Sequence, residues 1–141
     1  MVRLDPQRHL LDFASAGHLP SLLLNHSGET KFVMESTGIP LGIMRDYKFS
    51  KGEPVTLSAG DTVLLLTDGI TEAQALDKTE FDFDRTIDTV KTHQQKPAHH
   101  ILEHLYQEVR AFSENKPQED DITAIICKVN SWVIDLIRLF A

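Results

Sequence analysis

The segment TVLLLTDGITEA, residues 62–73, places a continuous run of apolar residues directly before an aspartate and a glycine. A run without alternating polar residues is typical of a strand that is covered on both faces. A second run, ITAIICKV at residues 122–129, follows the acidic pair Asp120 and Asp121. A chain that contains two such strands must place other elements on both sides of its sheet, which predicts a layered fold.

The two apolar runs carry carboxylates at their ends. Asp68 follows the first run, and Asp120 with Asp121 precedes the second. If the two strands are antiparallel neighbours, these three carboxylates meet at one rim, where they repel each other unless a cation joins them. Mg²⁺ and Mn²⁺ prefer oxygen ligands, and Gly69 would leave room beside the rim. On spacing alone, the alternative of a common Asp-Gly turn and a solvated acidic pair stays open.

The rest of the chain predicts an α+β fold with antiparallel sheet. Short strands and turn residues fill the first half, while DFDRTIDTVKTH and PAHHILEHLYQEVRAFSE show helical apolar spacing. We expect residues 1–130 to form the main unit and residues 131–141, SWVIDLIRLFA, to form a C-terminal amphipathic helix. The apolar residues of that helix would be Trp132, Val133, Leu136, Ile137 and Phe140.

Composition excludes several classes of protein. The chain has 141 residues, 21 acidic against 14 basic, and a net charge of −7, which argues against nucleic acid as a partner. No apolar run approaches the roughly 20 residues of a membrane span, and we expect no signal peptide in the first residues of this sequence. Cys127 is the only cysteine. This excludes a disulfide framework and favours a reducing, cytoplasmic location with a buried, inert thiol.

Four motifs occur in order: ASAGHLPSLLL, TGIPLGI, AGDTVLLLTDGITEA and EDDITAIICKV. Together they resemble the C-terminal part of a bacterial metal-dependent serine/threonine phosphatase (PPM) domain of the SpoIIE/RsbU type, over about residues 4–129. The resemblance implies an antiparallel β-sandwich flanked by helices, the αββα arrangement of PPM phosphatases, here incomplete at its N-terminal side.

The same resemblance implies a binuclear Mn²⁺ or Mg²⁺ centre at one end of the sandwich. Asp68 matches the aspartate of the family's TDG motif, and Asp120 matches the aspartate of its DD(I/L)T or DN motif. Asp121 matches less closely and would lie behind the direct ligands. The implied reaction is hydrolysis of phosphoserine or phosphothreonine on a partner protein, often a small anti-sigma-factor antagonist, by a water that the two cations make acidic.

One departure from the family pattern limits this expectation. The family's D-x-x-G-H-G-like stretch, whose aspartate bridges both metals, is absent from this sequence. We therefore predict weak metal binding and little phosphatase activity for this chain alone. The alternative is a non-catalytic regulatory module that binds a partner protein. In either case, sheet edges left open by an incomplete domain predict self-association.

Histidines offer weaker candidates. His18, in AGHLP, could act as a general acid or could form a hydrogen bond within a turn. His100 and His104 are spaced i, i+4 on the strongest predicted helix, which can bind Zn²⁺. However, the glutamate placement of an HExxH motif is missing, which favours a solvated polar face.

Overall fold

A computed structural model of the chain describes residues 1–118, 120–130 and 133–140. Within these residues, strands alternate with turns in the first half, and the helices lie in sequence between the sixth and seventh strands. The strands are β1 Val2–Asp5, β2 Leu10–Phe13, β3 Ser21–Leu24, β4 Thr30–Met34, β5 Val55–Thr56, β6 Thr62–Leu66, β7 Thr123–Asn130 and β8 Val133–Phe140. The helices are α1 Asp68–Thr71, α2 Asp82–Thr92 and α3 Ala98–Phe112.

The strands form two antiparallel sheets in the described part of the chain. The larger sheet has the order β4-β3-β6-β7-β8, and the smaller has the order β1-β2-β5. Every strand pair within them is antiparallel. This confirms the α+β fold with antiparallel sheets that the sequence predicts, and it makes β6 and β7 central neighbours in the larger sheet.

The apolar run in β6 is continuous because its two faces serve two cores. Leu64 and Leu66 belong to a cluster that includes the helices, with Ile101 and Leu105 of α3. Val63, which precedes Leu64, belongs to a second cluster with residues of the smaller sheet, and Leu65, between Leu64 and Leu66, packs against that second cluster. The larger sheet is therefore a middle layer, with helices on one side and the smaller sheet on the other.

The helices predicted in DFDRTIDTVKTH and PAHHILEHLYQEVRAFSE are confirmed. α3 buries an apolar stripe at helical spacing, Ile101, Leu102, Leu105 and Val109, against the larger sheet. Pro97 is the N-cap residue of α3, where its missing N–H leaves no hydrogen bond unmade. No helix among the residues that the structure describes is long and apolar enough to cross a membrane.

The predicted C-terminal helix is wrong, because residues 133–140 form strand β8. β8 pairs with β7 along its whole length, from Asn130↔Val133 to Thr123↔Phe140. Ile137 and Leu139 pack against the helix-side core while Arg138 between them is exposed, which is the period of a strand. A short segment this rich in apolar residues fits the period of a helix as well as that of a strand. It forms a strand here because the edge of β7 provides a full ladder of hydrogen-bond partners. Trp132 lies outside the described residues.

A buried glutamine joins the helical layer to the larger sheet. Gln94, between α2 and α3, is 3% exposed. Its Nε2 lies 2.9 Å from the Thr62 hydroxyl oxygen, 3.0 Å from the Asn25 carbonyl oxygen and 3.2 Å from that of Gly60. The link between α2 and α3 is thereby fixed to the start of β6, at the end of the sheet opposite Asp68.

Replacement of Gln94 by leucine is expected to lower the free energy of unfolding by about 2 kcal/mol, because buried acceptors lose their donor. Urea denaturation followed by circular dichroism measures this change. Gln95→Leu is the matched control, since Gln95 is exposed and donates one hydrogen bond, to the His26 carbonyl. A control with an equal loss of stability would contradict the role assigned to Gln94.

Candidate metal centre

The ends of β6 and β7 bring the predicted carboxylates to one rim of the larger sheet. The two strands are antiparallel, with Leu66 opposite Ala124, so the chain after β6 runs beside the chain before β7. Asp68 is the first residue of α1, and Asp120 and Asp121 lie on the approach to β7. The predicted antiparallel pairing of these two strands is therefore confirmed.

Thr67 forms hydrogen bonds that join the segment after β6 to the segment before β7. Its backbone N–H donates to the Thr123 carbonyl at 3.0 Å. Its hydroxyl oxygen accepts from the Thr123 N–H at 2.9 Å and donates to the Asp121 carbonyl at 3.0 Å. These bonds extend the pairing past the last strand residues and hold the backbone of Asp68 beside that of Asp121. The sequence pattern alone does not single out Thr67.

Gly69 meets the opposite backbone at close range. A Cβ atom built on Gly69 would lie 2.7 Å from the Asp121 carbonyl oxygen and 3.4 Å from that of Asp120. Only a residue without a side chain fits there, because the neighbouring atoms are backbone rather than a flexible side chain. The prediction that Gly69 allows a close approach at the rim is confirmed for this backbone contact.

The three carboxylates are exposed and supply oxygen donors at this rim. Asp68, Asp120 and Asp121 are all exposed, and the Asp120 Oδ1 accepts the Asp121 N–H at 2.7 Å. Oxygen donors suit a hard divalent cation such as Mg²⁺ or Mn²⁺. Among residues 1–118, 120–130 and 133–140, however, no group of three or more His, Cys, Asp or Glu side chains is arranged to hold a metal ion. The donor type fits, but the arrangement is short of a complete ligand set.

The histidine candidates have partners of their own. His18 is exposed, and its Nδ1 lies 2.8 Å from the Leu19 carbonyl oxygen, as expected for a hydrogen-bonded turn residue. The His104 ring stacks on His93 at 4.1 Å between ring centroids. Stacking fixes His104 between α3 and the end of α2, and His100 pairs instead with the His99 ring. Cys127 is buried, as predicted.

A family model and a curated relative both match this chain. The model of the family described as stage II sporulation protein E (SpoIIE) matches residues 1–130. The phosphoserine phosphatase RsbU of Bacillus subtilis is 27% identical over 124 residues, which is 86% of this chain and 35% of RsbU. The chain thus spans about a third of the length of this relative.

Solved structures show the same fold. The SiaA-PP2C domain of Pseudomonas aeruginosa superposes with a TM-score of 0.78 at 23% identity, covering 92% of this chain and 50% of that domain. The phosphatase domain of SpoIIE from Bacillus subtilis, presoaked with Mn, gives a TM-score of 0.68 at 18% identity and covers 92% and 55%. These likenesses establish a PPM-like α+β fold, and this chain corresponds to about half of each solved domain.

Proposed function

Because this chain belongs to the SpoIIE family, we propose that it carries part of a metal-dependent phosphatase centre that acts on phosphoserine or phosphothreonine of a partner protein. The observation that supports this is the convergence of Asp68 with Asp120 and Asp121, held by the Thr67 hydrogen bonds and by the close approach at Gly69. A simple turn would not require two chain segments to be fixed against each other at this rim.

Each residue has a separate part in the proposal. Asp68 and Asp120 would hold Mn²⁺ or Mg²⁺ through their carboxylate oxygens. Asp121 would support them through the backbone carbonyl that Thr67 binds. When bound, the cations supply Lewis-acid activation of water and neutralise phosphate oxygens. Thr67 and Gly69 set the distance between the two segments, so their contribution is positional.

The substrate class follows from the relatives and stays a proposal for this chain. RsbU is named a phosphoserine phosphatase, and we propose a cytoplasmic phosphoprotein of the anti-sigma-factor-antagonist kind as the substrate. The missing ligands would come from residues outside this chain, since the solved domains are about twice as long as the part that matches. The chain alone is therefore expected to bind metal weakly and to show little activity.

A second candidate is a non-catalytic module that binds a partner protein. The absence of a three-residue metal group in the described part of the chain favours it. Edge strands β4 and β8 of the larger sheet are the places where another chain, including a second copy of this one, could add a strand. The two candidates differ in one property, which is metal binding at the rim.

A titration with Mn²⁺ tests the proposal. In ¹⁵N-labelled protein, paramagnetic broadening is expected to centre on the amides of residues 67–69 and 120–123 and to be reversed by a chelator. Broadening elsewhere, or none, would overturn the metal centre and favour the binding module. Rapid hydrolysis of a phosphopeptide by this chain alone in millimolar Mn²⁺ would instead refute the expected low activity.

A further inference from the structure

The loop that links β4 to β5 exposes an apolar cluster. In the described part of the chain seven large hydrophobic side chains are exposed, and four of them lie in this loop: Leu41, Ile43, Met44 and Phe49. The first three, which we call the apolar tip, are 75%, 71% and 61% exposed. Single exposed apolar residues are normal, but neighbouring ones indicate a contact with another apolar surface.

The loop is packed at its base and open at its tip. A Cβ built on Gly38 would lie 3.0 Å from the Tyr47 ring and 2.9 Å from the Phe49 ring, and these two rings meet edge to face with centroids 4.9 Å apart. Between Gly38 and Tyr47, Gly42 has a φ of 86° and nothing within 4 Å of an added Cβ. The turn at residues 41–44 therefore projects from the fold and presents its apolar side chains outward.

Cationic side chains follow the apolar tip in the same loop. Arg45, Lys48 and Lys51 are exposed, and none of them forms an ion pair with an acidic residue that the structure describes. Asp46 is the only acidic residue of residues 39–52, so this stretch has a net charge of +2, whereas the whole chain has −7. Charges more than about 8 Å apart are screened at physiological salt, so the loop can attract an anionic surface although the chain as a whole is acidic.

We propose that this loop docks on the surface of an anionic lipid bilayer, with the apolar tip at the level of the outermost acyl carbons and the three cations on lipid phosphates. Apolar side chains beside cationic ones are typical of segments that lie in the bilayer interface. A projecting tip fits a deformable apolar layer, whereas a protein partner would need a matching pocket. The contact is with one leaflet only, since no helix in the described ranges is long and apolar enough to cross a membrane. It does not depend on the candidate metal centre.

The test is co-sedimentation of the chain with vesicles of equal parts phosphatidylglycerol and phosphatidylcholine, compared with vesicles of phosphatidylcholine alone. Binding is expected to the anionic vesicles and to weaken as salt is added. Lys48→Gln and Lys51→Gln should each weaken it by about fivefold. Leu41→Ser with Ile43→Ser should weaken it by about tenfold or more, because two large apolar side chains no longer leave water. Circular dichroism should be unchanged, since all four residues are exposed.

Matched variants outside the loop assign the binding to it. Leu76 is 66% exposed, so Leu76→Ser removes a similar apolar surface elsewhere and should leave vesicle binding unchanged. Lys78 is exposed and also lies outside the loop, and Lys78→Gln is the corresponding control for the cations. Losses in these two variants equal to those in the loop variants would overturn the inference, because binding would then follow overall charge and hydrophobicity.

A fluorescence measurement reports whether the tip enters the bilayer. Leu41→Trp is expected to show a blue-shifted emission on addition of the anionic vesicles, with the wild-type chain, whose only tryptophan is Trp132, as the baseline. Vesicle binding without this shift would overturn insertion of the tip, and no binding to either kind of vesicle would overturn the whole inference. Sedimentation velocity without lipid separates a further case. A chain that ignores vesicles but self-associates, and is dispersed by Leu41→Ser with Ile43→Ser, would place a second copy on the tip in place of lipid.

Discussion

Asp68→Asn is expected to weaken Mn²⁺ binding at the rim by about ten- to a hundredfold, the range seen when groups that support a metal are altered. Asparagine keeps the size and one oxygen donor of aspartate but removes its charge, and hard divalent cations depend on charged oxygen ligands. The fall is measured as the Mn²⁺ concentration that half-broadens the amides of residues 67–69. Circular dichroism should be unchanged, because Asp68 is exposed and its side chain is not needed for the core.

The control for Asp68→Asn removes the same charge from a neighbouring loop. Asp77 is exposed, and the Thr79 backbone N–H donates to its carboxylate, which lowers the pKa of Asp77. Asp77→Asn should therefore leave Mn²⁺ binding nearly unchanged. An equal loss in both variants would mean that Mn²⁺ responds only to net charge and that Asp68 is not a ligand.

The other two carboxylates extend this test. Asp120→Asn is expected to match Asp68→Asn, since both stand in the proposed ligand set. Asp121→Asn is expected to have a smaller effect, because Asp121 contributes through the backbone carbonyl that Thr67 and Gly69 contact, and that carbonyl survives the change. A larger effect for Asp121 than for Asp120 would reverse their proposed roles.

The pairing at the centre of the fold could be predicted from the sequence because burial on both faces leaves a clear pattern. β6 and β7 are far apart in sequence, yet each is a continuous apolar run, and only strands in a middle layer require that. The apolar stripe of α3 is equally distinctive, since Ile101, Leu105 and Val109 all fall on one buried face. In these elements the local period and the tertiary environment agree.

β8 could not be predicted in the same way, because its sequence fits two periods. Only Asp135 and Arg138 interrupt the apolar residues of 133–140, so helical and alternating patterns both find enough of them. The deciding factor is the edge of β7, which is a property of the assembled sheet. A local pattern cannot report which backbone groups remain unpaired elsewhere in the fold.

The site residues could be predicted because they lie at the ends of strands. The contacts that hold them in place could not be predicted in this way. Sequence spacing brings Asp68 near Asp121 only if β6 and β7 are in register. The hydroxyl of Thr67 sets that register past the ends of the strands, through bonds to Asp121 and Thr123. A threonine before an aspartate is common, so its role becomes visible only when its partners 54 and 56 residues away are known.

Gly69→Ala is expected to alter both stability and the metal site. The added Cβ would lie 2.7 Å from the Asp121 carbonyl oxygen. The neighbouring atoms belong to the backbone, so no flexible side chain can move aside to relieve the clash. The two segments must separate, which should lower the free energy of unfolding by about 1–3 kcal/mol, as for other overpacked sites. Separation also moves Asp68 away from Asp120, so Mn²⁺ broadening of residues 120–123 should weaken in parallel.

Gly42→Ala distinguishes the geometry of the rim from a general loss of stability. Gly42 has a φ of 86° and nothing within 4 Å of an added Cβ, so alanine there strains the backbone without a steric clash. Gly42→Ala should lower the stability of the fold and leave Mn²⁺ broadening at the rim unchanged. Parallel loss of metal binding in both variants would show that the centre follows global stability. Loss in Gly69→Ala alone would show that the close approach of the two backbones is itself required for Mn²⁺ binding at the rim.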